Sequence, residues 1–118
     1  MKTLVLGASS NPERYSFIAM SRLLQYDHEV VAIGLKNERV FGIEIQIGFP
    51  VLGDIHTVTL YLNPQRQKEY YDYIIALKPK RVIFNPGTEN PEFYELLKEN
   101  HIKVEEACTL VLLSTKQY

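Results

Sequence analysis

The sequence predicts an α/β domain, a parallel sheet covered by helices on both faces in three layers. Three observations carry that expectation. Short apolar runs bounded by turn residues alternate along the chain with stretches of helical periodicity. The opening run Thr3-Leu4-Val5-Leu6 reaches Gly7 and passes through Ala8-Ser9-Ser10-Asn11-Pro12 into a helical pattern. Asn11-Pro12, Asn63-Pro64 and Asn90-Pro91 each follow an apolar run, and each joins a capping side chain to a proline suited to a first helical turn.

The elements follow in order. Thr3–Leu6 reads as a buried strand that ends at Gly7, because glycine accepts turn angles closed to other residues. A helix is predicted to start at Asn11-Pro12 and to continue through residues 15–26, with Phe17, Met20 and Leu24 on a stripe widened by Ile18 and Leu23. Asp27-His28 turns the chain into a second buried strand, Glu29–Gly34, and a strand, helix and strand in so short a span call for a right-handed parallel unit. Residues 40–47 alternate apolar with polar, as an edge strand or hairpin does, and Gly48-Phe49-Pro50-Val51 reads as a bent loop. Thr57–Leu62 is a third main strand, followed by a helix from Asn63-Pro64 through Leu77 that Lys78-Pro79 stops. Arg81–Phe84 is the fourth strand, Asn85-Pro86-Gly87-Thr88 a turn, Asn90-Pro91 the start of a helix ending near Asn100, and Ile102–Glu105 the fifth strand. The apolar tail, Ala107 to Ser114, packs either as strand or as helix. The sum is a parallel five-stranded sheet with an extra edge strand or hairpin. In such a sheet the three helix starts gather at the carboxyl ends of the strands, where open α/β sheets bind ligands.

Composition narrows the setting. The 118 residues suit one domain, and 46% apolar with 23% charged residues describes an ordinary globular chain. Thirteen basic and fourteen acidic residues leave a net charge of −1, without the broad positive footprint of a nucleic-acid binder. The single cysteine, Cys108, excludes an intramolecular disulfide and is compatible with a reducing compartment. No signal-peptide pattern opens the chain, and no apolar run approaches the roughly 18 residues of a membrane helix. A cytoplasmic location, with no membrane and no nucleic-acid partner, is the expectation.

The first loop is prepared for an anion. A strand that runs through a tight turn into a helix leaves backbone N–H groups without intrahelical partners, and the helix dipole favours negative charge beside them. The run is not the three-glycine dinucleotide fingerprint: Ser9 and Pro12 replace its second and third glycines. Gly34-Leu35-Lys36 stands where an acidic residue would hold the ribose of NAD, and a lysine there favours an added phosphate. A Walker phosphate loop and a G-x-S-x-G elbow are both missing. His28, His56 and His101 are scattered, and the neighbours Glu105 and Glu106 point to opposite faces of a strand, so no catalytic or metal-ligating set is assigned. Tyr70, Tyr71 and Tyr73 cover more than one helix face, in core packing or a subunit contact. Ile43-Glu44-Ile45-Gln46-Ile47 could pair with its copy at a sheet edge, making a homodimer.

Taken together, Val5–Arg14, Gly53-Asp54-Ile55, Phe84-Asn85-Pro86-Gly87 and Glu106-Ala107-Cys108 resemble the small stand-alone CoA-binding domain proteins. These are similar to the N-terminal CoA-binding domain of the succinyl-CoA synthetase alpha subunit. The resemblance implies a Rossmann-like sheet holding CoA or acyl-CoA along its carboxyl edge, as a binding module without catalysis of its own. It places Gly7, Ala8, Ser9, Ser10, Asn11 and Arg14 at the phosphates, Lys36 near the adenosine, and Asn85, Pro86 and Gly87 along the pantetheine. The sequence departs from the family pattern at Asn63, where a basic residue is common. Two other functions fit the same residues: an NADP-type nucleotide-dependent oxidoreductase or its cofactor subunit, and a protein-interaction module with a vestigial nucleotide edge.

Overall fold

The computed structural model describes residues 1–118. A seven-stranded sheet runs through the centre in the order β3-β4-β2-β1-β5-β6-β7. Its strands are β1 (Lys2–Ala8), β2 (Glu29–Gly34), β3 (Glu38–Val40), β4 (Ile43–Gln46), β5 (Thr57–Leu60), β6 (Arg81–Phe84) and β7 (Lys103–Glu106). The five strands expected to be parallel are parallel neighbours. The expected edge hairpin is β3–β4, with β4 parallel to β2 and antiparallel to β3. Strand order reverses between β2 and β5 around β1, so the chain's first loop lies at the switch point.

Two apolar layers cover the sheet, and the alternation within β1 assigns them. Leu4 and Leu6 face one side with Val58, Leu60, Val82 and Phe84, against α3 (Tyr71–Leu77) and α4 (Pro91–Glu99) through Ile74, Phe93 and Leu97. Val5 faces the other side with Ala32 and Ile45, against α1 (Tyr15–Gln25) and α5 (Thr109–Ser114) through Met20, Leu23 and Leu113. Full burial of such side chains, about 1.5–3 kcal/mol each, is the main force holding the layers. The tail is therefore a helix. Asn85 decides this, because its Oδ1 accepts from the Thr109 N–H at 2.8 Å and satisfies a first-turn donor of α5.

Several boundaries move from their expected places. β1 does not stop at Gly7 but bulges there and continues to Ala8. The Asn11-Pro12 pair does not cap a helix. Asn11 Oδ1 accepts from the Glu13 N–H at 3.0 Å and Asn11 O from the Arg14 N–H at 3.0 Å, closing a separate turn before α1 begins at Tyr15. The other two pairs do cap: Asn63 accepts from the Arg66 N–H at 2.9 Å, and Asn90 from the Phe93 N–H at 3.3 Å. The helix expected from residue 63 to 77 is broken into α2 (Pro64–Gln67), a 3₁₀ turn (Lys68–Tyr70) and α3, and it ends at Lys78 in the left-handed region, φ 52°. Both sides of β4 are hydrogen-bonded, so the Ile43–Ile47 segment offers no edge to a second copy; the edge belongs to the three-residue β3.

The tyrosine cluster is internal packing. Tyr70 and Tyr73 lie against Phe49 with ring centroids 4.9 and 5.5 Å away, and Tyr71 stacks on Phe93 at 4.3 Å. Glu105 and Glu106 do face opposite ways, one toward Arg81 and the other toward the Tyr94 hydroxyl.

Candidate functional site

A cleft of about 950 Å³ runs along the carboxyl ends of β2, β1, β5 and β6. These four strands span three inter-strand steps, roughly 14 Å. The first loop forms its middle, Leu35 and Lys36 one end, and Pro86, Gly87 and Thr88 the other. Every residue expected to bind ligand lines this cleft except Asn85.

Two glycines allow the cleft to form. Gly7 has φ 97°, and a Cβ there would lie 2.9 Å from the Tyr61 carbonyl carbon. A Cβ on Gly34 would lie 2.4 Å from the Ala8 oxygen. Only bare backbone lets β2, β1 and the chain leaving β5 converge this closely under the loop. Above them, Ser9 Oγ accepts from the Asn11 N–H at 3.0 Å, which folds the loop back on itself. The N–H groups of Ser9 and Ser10 make no hydrogen bond within the chain. Arg14 O accepts from both Phe17 and Ile18, which leaves Tyr15 and Ser16 as the first-turn N–H groups of α1 without a partner in the chain.

The electrostatics suit a polyanion. Arg14, Lys36 and Arg66 are exposed on the cleft, and none forms an ion pair. Glu38 and Glu69 are the carboxylates lining it, so cations prevail by one. Arg66 was not among the expected ligand residues. It is held at the start of α2 by the Asn63 cap, which supplies a basic group three residues after the position where the family pattern has one. The regularity of the Asn-Pro pairs was the available signal, since it brings this helix start to the same sheet edge. Tyr61, another lining residue outside the expected set, has its phenol pushed up to about 12 by burial. It is a neutral hydroxyl at physiological pH.

Asn85 serves the fold beneath the cleft. It is 3% exposed, and its Nδ2 donates to Thr59 Oγ1 at 2.7 Å and to Leu60 O at 2.9 Å while Oδ1 holds Thr109. All of its side-chain donors and its carbonyl are in use. Its backbone carbonyl accepts from the Thr88 N–H at 3.0 Å and so shapes the Pro86-Gly87 turn that does reach the cleft.

A parallel sheet with its switch point at β1, and a glycine-turned first loop opening onto that edge, is a Rossmann-like α/β domain. The chain matches the CoA binding domain family over residues 1–114 and belongs to it. Among solved structures it is similar to a crystal structure of an uncharacterized protein, 50% identical with a TM-score of 0.97, covering 99% of this chain and 97% of that one. A Thermus thermophilus protein shares the fold at 24% identity and a TM-score of 0.87, with 99% and 90% of the two chains covered. A hypothetical protein from Pyrococcus horikoshii does so at 26% identity and 0.87, with 96% and 81% covered. No curated protein matches the chain. No helix is long and apolar enough to cross a membrane.

Proposed function

We propose that this domain binds CoA or acyl-CoA in the carboxyl-edge cleft, as a binding module without catalysis of its own. The observation that carries the reading is the set of three unpaired cations, Arg14, Lys36 and Arg66, around a loop whose Ser9 and Ser10 N–H groups are free. The pyrophosphate sits at the Ser9-Ser10 amides and the start of α1, beside Arg14. The adenosine lies toward Leu35 and Lys36, where the lysine meets the 3′-phosphate. The pantetheine runs across Leu62 toward Pro86 and Gly87. Hydroxyls, amides and guanidinium groups dominate the phosphate end, which is chemistry for holding anions. Family membership supports the ligand class, and the cleft supplies the charges.

Calorimetry with CoA, NAD and NADP tests this. CoA is expected to bind with clear preference over both dinucleotides. Binding of NADP without binding of CoA at millimolar concentration would replace the reading with a nicotinamide-dependent one, which the first strand-loop-helix unit could also serve.

A further inference from the structure

The far wall of the cleft is made by two separate loops, one after β5 and one after β6, and a single side chain joins them. Gln67, in α2, is fully buried. Its Nε2 donates to Leu62 O at 2.8 Å and to Thr88 O at 2.8 Å, and both residues line the cleft. Its Oε1 accepts from Asn90 Nδ2 at 2.9 Å. Asn90 Nδ2 also donates to the Tyr71 hydroxyl at 2.8 Å, and that hydroxyl donates to Glu92 Oε2 at 2.9 Å. Asn90 Oδ1 meanwhile caps α4. No apolar side chain could satisfy two carbonyls and an amide donor at once, and unpaired buried groups would separate the loops to reach water.

We infer that Gln67 is a positioning residue for ligand binding: a buried amide clamp that sets the spacing of the Leu62 and Thr88 walls and organises the cleft before ligand arrives. The inference rests on the proposed CoA reading for the identity of the ligand, though not for the clamp itself. Without the clamp only a fraction of molecules hold both walls in place, and apparent affinity falls by that fraction.

The test compares Gln67→Met with Ile74→Ala, a core change in α3 away from the cleft. CoA affinity is measured by calorimetry at a temperature where both variants are folded. Gln67→Met is expected to bind CoA roughly tenfold more weakly than Ile74→Ala. Equal affinity overturns the clamp. Should Gln67→Met not fold, Gln67→Glu takes its place, keeping the acceptor to Asn90 while removing the amide donor that bridges Leu62 O and Thr88 O. It is expected to lose affinity in the same direction, and wild-type affinity overturns the inference. If the wild-type domain does not bind CoA, the ligand reading fails by itself. Amide exchange in the ligand-free proteins then decides the clamp: faster exchange at Arg66 and Thr88 in Gln67→Met than in Ile74→Ala supports it, and equal protection overturns it.

Discussion

Replacing Gly34 with alanine tests whether the close approach of β1 and β2 builds the first loop. The new Cβ would lie 2.4 Å from the Ala8 carbonyl oxygen and 2.9 Å from Ile45 Cγ2, whereas ordinary contact begins at 3.4 Å. The strands must part by about 1 Å at their carboxyl ends. The obstruction is backbone in a strand paired on both sides, so it cannot rotate away as a side-chain tip would. Overpacking of this kind costs about 1–3 kcal/mol, and the rigidity of β1 puts Gly34→Ala at the upper end. For a domain of this size that lowers the melting temperature by roughly 10–15 °C. Because Ala8 leads into Ser9-Ser10, the folded fraction is also expected to bind CoA more weakly. Circular dichroism melting and calorimetry well below the transition measure the two effects separately. Gly53→Ala is the control, since nothing lies within 4 Å of its Cβ. If Gly34→Ala melts within about 2 °C of wild type and binds CoA equally, the account of how β1 and β2 shape the loop is wrong.

Other perturbations address single residues. Lys36 is exposed, so its contact with a 3′-phosphate is expected near the low end for a charge-assisted bond, about 1.5 kcal/mol or roughly tenfold in affinity. Lys36→Ala should bind CoA and dephospho-CoA alike, while Arg14→Ala weakens both; a Lys36→Ala protein that still prefers CoA refutes the assignment. Asn85→Ala strands Thr109 N–H and loosens α5, with an expected loss of about 2–3 kcal/mol and little change in the affinity of the folded protein; lost affinity without lost stability would restore Asn85 to the ligand. Burial foremost, with the N-terminal amine and Arg81 nearby, lowers the pKa of both His28 and His56. The unfolded chain therefore takes up more protons below the ordinary value of 6.5, and stability falls as pH drops through it. The double change His28→Gln and His56→Gln should flatten the melting temperature between about pH 7.5 and 5.5, and an unchanged slope would exclude these histidines as its source.

The framework was legible because its signals are local. The apolar run of β1 and the Asn63 and Asn90 caps each depend on neighbours a few residues away, and the stripe on α1 is right at Met20 and Leu23 but not at Leu24, which is exposed. The parallel order then follows from connection lengths. What escaped depends on distant groups. Asn11-Pro12 has the composition of a cap, but Ser9 and Asn11 close a turn of their own and postpone the helix to Tyr15. The tail is helical because Asn85, more than twenty residues upstream, holds Thr109. The same asparagine matched the ligand pattern by position, yet its side chain is consumed by Thr59, Leu60 and Thr109. Arg66 was missed for the converse reason. It is one exposed arginine among several in the sequence, and only the geometry of the β5–α2 turn brings it to the cleft.

The claim at the centre is that CoA lies along the carboxyl edge of the sheet, and amide chemical-shift mapping during a CoA titration tests it most directly. The account predicts shifts concentrated at Ser9–Arg14, Gly34–Lys36, Leu62–Arg66 and Gly87-Thr88, saturating together with one affinity. The amino-edge groove around Lys78, Lys80 and His101, a second cationic depression, should stay silent. Shifts confined to that groove, or none at millimolar CoA, would contradict the account.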